Sequence, residues 1–235
     1  MAVEYDFDGA VVLVTGGSGA LGSAIAEAFD AAGATVCAAD IVAPSDDDAL
    51  VDSSAVEFYE TDATDEDSVR DTVSAVVDDH GRLDALCNIA GTWRGGDPIE
   101  DTDVSEFDML FDVNLKSMFL ASKHAIPHLR ETGGAIVSVS ARSSLEGGEG
   151  DGPYRASKAG VRLLTETVAE ENLGELRANA IMPSVIDTPM NREMMPDADH
   201  DSWVDPGDIA DVVMFLCSDE ATVTSGAAVP VYGEA

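Results

Sequence analysis

The run Ala10-Val11-Val12-Leu13-Val14-Thr15-Gly16-Gly17-Ser18-Gly19-Ala20-Leu21-Gly22 decides the fold. Residues 10–14 are apolar and largely β-branched, as in a strand buried on both faces. A glycine-rich turn follows, and an alanine-rich amphipathic helix runs from it to about residue 32. Gly17, Gly19 and Gly22 fit G-x-G-x-x-G, between a strand and a helix as the dinucleotide fingerprint requires. Glycine permits the tight turn and a close backbone approach. The helix start then offers unpaired N–H groups and a positive dipole end to a pyrophosphate.

Working outward, residues 35–40 read as a second short strand ending in Asp40. A carboxylate at that distance from the glycines accepts hydrogen bonds from ribose hydroxyls and repels a 2′-phosphate. No Arg or Lys stands in the glycine turn or just after Asp40, so the expected cofactor is NAD(H) rather than NADP(H). Residues 44–54 read as an acidic loop and 55–59 as a third strand, with Asp62 following where an adenine contact would lie. A helix is expected over 65–79, with Asp65 and Glu66 suited to its positive end. Strands are expected over 83–87, 134–140, 177–182 and 227–231. Helices are expected over 106–129, carrying Asn114, over 154–172, and over 206–218, with Asp205 as cap and Pro206 at the first position. Strands alternating with helices imply a parallel sheet covered on both faces. No internal repeat or domain linker interrupts the pattern, so one domain is expected.

Tyr154-Arg155-Ala156-Ser157-Lys158 opens the helix expected at 154. Residues four apart share a helix face, so a phenol lies beside an ammonium. A phenol ordinarily titrates near about 10. A neighbouring cation favours the phenolate, and the pair is expected to exchange a proton nearer neutrality.

The net charge is −34, with three lysines, Lys116, Lys123 and Lys158, and acids dispersed along the chain. Nucleic acid and anionic membranes are expected to be repelled. Scarce lysine and dispersed aspartate resemble the composition of proteins from salt-accumulating halophiles. No apolar run reaches the length of a membrane span and no positively charged leader opens the chain, so the cytoplasm is the expected location. Cys37, Cys87 and Cys217 are isolated in apolar settings and read as small buried hydrophobes, neither disulfides nor metal ligands.

Together these motifs resemble the short-chain dehydrogenase/reductase family over essentially the whole chain. The match rests on the glycine turn, Asp40, Asp62, Asn88-x-Ala90-Gly91, Asn114, Tyr154-xxx-Lys158 and Pro183-Ser184-Val185-Ile186-Asp187-Thr188. The resemblance implies a single Rossmann-type α/β domain, with a doubly wound parallel seven-stranded sheet, assembled as a homotetramer or homodimer. It implies a cofactor cradle of Gly16, Gly17, Ser18, Gly19, Ala20, Leu21, Gly22, Asp40, Ile41, Asp62, Ala63, Asn88, Ala90, Gly91, Tyr154, Lys158, Pro183, Ile186 and Thr188. It gives Tyr154 the role of general acid or base. Lys158 binds the nicotinamide ribose and depresses the tyrosine pKa, and Asn114 holds a water.

Three positions depart from the family pattern. Ala20 replaces a glycine, Ser184 stands where Pro-Gly is usual, and Ala141 falls where an orienting serine belongs. Ser140 and Ser143 flank Ala141, and either is a replacement. Ala141 with its neighbours, Trp93 and the segment with Met190 also resemble dihydropteridine reductases, whose substrate is a flat quinonoid ring. Trp93, Ala141, Ser143 and Met190 are therefore the expected substrate contacts, under a lid at about 188–204. The expected function is hydride transfer between NAD(H) and a small carbonyl or alcohol. Two alternatives stay open: reduction of a quinonoid dihydropterin, and a catalytically weak NAD-binding sensor.

At molar salt the Debye length is about 3 Å, which removes most self-repulsion. The melting temperature is therefore expected to rise steeply from dilute buffer to molar KCl; a flat profile would refute the halophilic reading.

Overall fold

Every residue of strand β1 (Val11–Thr15) is buried, in a computed structural model that describes residues 5–44, 51, 54 and 56–234. Alternate residues of a strand face opposite ways, and β1 feeds two cores. Val12 and Val14 pack with Ile25 and Phe29 of α1 (Ala20–Ala31) and with Ile209, Val213 and Leu216 of α7 (Pro206–Cys217). Val11 and Leu13 pack with Val69 and Val73 of α2 (Glu66–His80) and with Leu120 and Leu129 of α4 (Ser117–Thr132).

Around β1 lie β2 (Thr35–Asp40), β3 (Glu57–Glu60), β4 (Ala85–Asn88), β5 (Ala135–Val139), β6 (Arg177–Pro183) and β7 (Ala228–Val231). The seven strands are parallel in the order β3-β2-β1-β4-β5-β6-β7. The chain runs outward from β1 to β3, then returns to the other side of β1 at β4. Such a reversal opens a crevice beyond the carboxyl ends of the strands. The expected doubly wound α/β sheet is what forms.

The element boundaries have local causes. Asp84 accepts a hydrogen bond from the Val11 amide at 2.9 Å, so β4 begins at Ala85, two residues later than the pattern suggested. The strand expected at 55–59 lies at Glu57–Glu60; residue 55 and most of the expected acidic loop fall outside the described residues. Asp65 caps α2 by accepting from the Ser68 amide, and Asp205 caps α7 by accepting from the Gly207 amide.

The helix expected over 106–129 is three pieces. Helix α3 (Val104–Phe111), capped by Asp103, runs into a π-helical turn at Asp112–Lys116 and then into α4. Helix α5 (Gly152–Glu171) starts two residues before Tyr154, with Pro153 in its first turn. The expected lid contains α6 (Pro189–Met194) and a 3₁₀ turn at His200–Ser202. Among the described residues, no helix is long and apolar enough to cross a membrane.

Phe29 is 0% exposed and meets Phe7 edge-on at 4.8 Å between ring centres. Replacing a buried Phe by Ala typically costs about 3–5 kcal/mol. Phe29→Ala is expected to lose a stability of that size in denaturant titration at molar KCl, with no change in ligand affinity at the far edge of the sheet.

Candidate active site

Thr15, Asp40, Asn88, Val139 and Pro183 end five parallel strands, so their backbones converge on one edge of the sheet. The glycine turn fills the middle of that edge. Gly16 has φ +68°, and a Cβ there would lie 2.9 Å from the Ala90 backbone. A Cβ at Gly17 would come within 2.8 Å of the Ala38 Cβ, and one at Gly22 within 2.1 Å of the Gly16 carbonyl oxygen. A Cβ at Gly19 would make an ordinary contact, 3.5 Å from the Gly16 carbonyl oxygen. Helix α1 has no side-chain cap. The first-turn amides of Ala20, Leu21 and Gly22 donate to no acceptor among the described residues. Unpaired N–H groups at the positive end of a helix form an anion site. The residues present therefore fit the diphosphate of a dinucleotide.

Asp40 ties this turn to its neighbour. Its carboxylate accepts from the Ser18 amide at 3.0 Å and the Val42 amide at 3.1 Å, while Ser18 Oγ donates to the Val42 carbonyl at 2.6 Å. Ile41 beside it is exposed. Farther along the edge, Asp62 accepts from the amide and hydroxyl of Thr64. Those bonds hold its carboxyl below the usual range, with Lys116 adding to the effect. Ala63 follows it, half-buried.

Asn88 sits deeper. Its Nδ2 lies 3.2 Å from Ser122 Oγ and 3.1 Å from Ser138 Oγ, joining β4 to α4 and β5. Thr15 Oγ1 accepts from the amides of Ile89 and Ala90. These bonds fix the strand end that leads to Gly91.

At Gly91 three elements meet. A Cβ there would be 3.0 Å from Asn114 Oδ1 and 3.0 Å from Lys158 Nζ. Asn114 lies in the π turn and is 1% exposed. Its Oδ1 accepts from the Thr92 amide at 2.8 Å, and its Nδ2 donates to the Thr92 carbonyl at 3.0 Å and to Ser157 Oγ at 3.2 Å. Both amide hydrogens are thus engaged. The side chain clamps the Thr92 backbone from both sides.

Lys158 Nζ donates to the Val139 carbonyl at 3.0 Å. The side chain is 4% exposed, and burial draws its pKa from 10.5 to about 8. Tyr154, one turn earlier, is raised to about 12, by burial first and by the Asp151 carboxylate second, with Arg155 partly offsetting them. The expected depression of the phenol by Lys158 is absent. The ammonium is turned toward a carbonyl and is weakened by its own desolvation.

Ser140 is corrected as well. It is 2% exposed, its hydroxyl donates to the Lys158 carbonyl at 2.8 Å, and it lies 3.1 Å from Ser144 Oγ. It ties α5 to the end of β5. Ala141 is buried. Ser143 is half-buried, and its hydroxyl makes no hydrogen bond to the described residues. Trp93 is partly exposed, in a loop whose Gly96 amide donates to the Gly150 carbonyl at 2.6 Å.

Pro183 ends β6. Ile186 pairs with Val204 in an isolated parallel bridge, and its carbonyl accepts from Asn191 Nδ2. Thr188 caps α6 through the Asn191 amide, and Met190 is 53% exposed on that helix. Sequence reasoning missed Arg155 and Asp151, which pair across one helical turn near Tyr154. Their i, i+4 spacing was the available signal. Among the described residues, no group of three His, Cys, Asp or Glu could hold a metal ion.

Known proteins share this fold and much of this sequence. A family profile described as Enoyl-(Acyl carrier protein) reductase matches residues 17–233. The 3-oxoacyl-[acyl-carrier-protein] reductase of Thermotoga maritima is 32% identical, over 96% of this chain and 97% of that protein. (+)-Borneol dehydrogenase 2 of Salvia officinalis is 36% identical, over 93% of this chain and 86% of that protein. The ligand-free aldohexose dehydrogenase of Thermoplasma acidophilum superposes with a TM-score of 0.89 at 30% identity, covering 99% and 96% of the two chains.

Burial of the Lys158 charge sets a stability signature. Its folded pKa lies below its unfolded one, so between about pH 8 and 10.5 the unfolded chain binds the extra proton. Stability therefore rises with pH across that window, and the full penalty, on the order of 3 kcal/mol, applies below it. Lys158→Met is expected to stabilise the fold by about 1–2 kcal/mol near pH 7, net of leaving the Val139 carbonyl without its donor. The gain should shrink near pH 10. Denaturant titrations at both pH values check this; a loss of stability near pH 7 would contradict it.

Proposed function

Because the chain belongs to the short-chain dehydrogenase/reductase family, we propose that it interconverts a small ketone and its secondary alcohol with NAD(H). The observation that carries this reading is the meeting of Gly91, Asn114 and Lys158 beside Tyr154, at the strand edge where the glycine turn leaves three amides unpaired. The family's nicotinamide cofactor supplies or accepts the hydride.

The amides of Ala20, Leu21 and Gly22 would hold the diphosphate, and Asp40, fixed by Ser18 and Val42, would accept from the adenosine ribose hydroxyls. A 2′-phosphate brought to Asp40 meets a carboxylate already held by two backbone amides, which supports NAD(H) over NADP(H). Asp62 and Ala63 would border the adenine, and Pro183, Ile186 and Thr188 the nicotinamide amide. Asn114 fixes the Thr92 backbone beside Lys158.

Tyr154 stands as the proton donor to the carbonyl oxygen. With its pKa raised to about 12, the phenol keeps its proton near neutrality, the state that ketone reduction needs. Oxidation of the alcohol needs the phenolate and is expected to speed up as pH rises.

The relatives include dehydrogenases of borneol and of meso-2,3-butanediol, both secondary alcohols, which supports an aliphatic or alicyclic carbonyl substrate. A second reading, reduction of a flat quinonoid ring, is favoured by Ala141 and by the partly exposed Trp93. A panel of cyclic ketones, diketones and quinonoid dihydropterin at molar KCl separates the two.

Tyr154→Phe is expected to lower kcat by about 10²–10⁴-fold, the usual worth of a positioned proton donor, with the NADH dissociation constant unchanged. Asp40→Ser is expected to narrow the preference for NADH over NADPH by about tenfold or more, on the order of 1.4 kcal/mol. Tight NADH binding with no turnover on any substrate would favour a sensor and sink the enzyme reading.

A further inference from the structure

The turn between β5 and Tyr154 lacks the expected serine at 141, yet it is held more firmly than a glycine-rich loop requires. Arg155 is responsible. Its Nε donates to Asp151 Oδ1 at 2.5 Å, and its Nη1 reaches the carbonyls of Ser143 at 3.3 Å and Glu146 at 3.2 Å. The guanidinium lies over Gly148 so closely that a Cβ there would be 2.2 Å from Arg155 Cζ. At the far end, the Gly96 amide holds the Gly150 carbonyl at 2.6 Å. Among the described residues, the hydrogen bonding to residues 146–149 comes from Arg155.

The two serines flanking Ala141 have opposite fates. The Ser140 hydroxyl is buried and engaged with the Lys158 carbonyl. Ser143 sits half-buried with its hydroxyl unengaged among the described residues, and its own carbonyl is one of the two that Arg155 grips.

We propose that Arg155 is a positioning residue that fixes the turn carrying Ser143, and that Ser143 donates the hydrogen bond to the substrate oxygen in place of the serine missing at Ala141. This rests on the oxidoreductase reading. A planar guanidinium can serve a carboxylate and two carbonyls from one fixed plane; an ammonium on a flexible stem holds no such plane. The arrangement couples the two residues, so removing either removes the same hydrogen bond to substrate.

The experiment compares Ser143→Ala, Arg155→Met, the double variant and Ser140→Ala, with two readouts. In ketone reduction, Ser143→Ala and Arg155→Met are each expected to lose about 100-fold in kcat, the scale of a lost donor to a reacting oxygen. The double variant loses no more than the worse single one, and the KM for NADH stays constant. The second readout needs no substrate: cleavage by a Glu-specific protease after Glu146 and Glu149. Arg155→Met is expected to be cut at least about tenfold faster than wild type. Gly148→Ala, which drives a Cβ into the guanidinium, should behave alike, and Ser143→Ala should not.

Wild-type cleavage rates in Arg155→Met would overturn the positioning role. A silent Ser143→Ala beside a crippled Ser140→Ala of unchanged melting temperature would overturn the choice of serine. Absence of turnover in wild type would sink the oxidoreductase reading and Ser143 with it, while the cleavage rates would still decide Arg155.

Discussion

An ammonium with 4% of its residue surface exposed and one carbonyl for a partner is costly to keep, and the site is built around keeping it. Lys158 is tied twice to the end of β5. Its side chain donates to the Val139 carbonyl, and its own carbonyl accepts from Ser140. The reciprocal tie fixes the angle and rotation of α5 against the sheet, and so places Tyr154 one turn earlier. Gly91 supplies the room, since any side chain there would strike Asn114 and Lys158 together. The burial that weakens the ammonium also strengthens the phenol's hold on its proton. The two members of the pair are pushed toward neutrality from opposite sides, by the same lack of water.

The surface is governed by the opposite condition. With 12 Lys and Arg against 46 Asp and Glu, most cations carry a carboxylate partner. Arg70, Arg82, Lys123, Arg130 and Arg192 all do so on half-exposed surface. Each such pair is worth about 0–1 kcal/mol at most and less in salt, so they do not offset the surplus. Arg177 serves differently. It donates to the carbonyls of Leu216, Cys217 and Ser218 at the carboxyl end of α7, where a cation complements the helix dipole.

Much of this was legible in the residues. The strand–glycine–helix run, the carboxylate at the end of β2 and the alternation of strands and helices dictate the sheet, because periodicity and glycine sterics are local. Tyr154 and Lys158 were legible as a pair for the same reason. Their electrostatics were not, because a pKa depends on where an ammonium turns and how much water surrounds it. Ser140 and Ser143 were indistinguishable in sequence; which hydroxyl is occupied depends on the packing of α5 against β5. Arg155 went unnoticed because its acceptors are backbone carbonyls, and no residue type announces those. The break at Asp112–Lys116 was hidden too, since an apolar stripe continues through it with little change.

That break reaches beyond its own turn. A π-helical turn carries one residue more than the α-helix around it and is a frequent mark of a functional position. In a regular helix each residue advances the face by about 100°. Shortening the chain by one residue there would restore an ordinary helix and leave α4 correctly rotated against the sheet, while carrying Asn114 away from Thr92. The turn thus marks where the helix gives up regular winding and one amide reaches the Thr92 backbone.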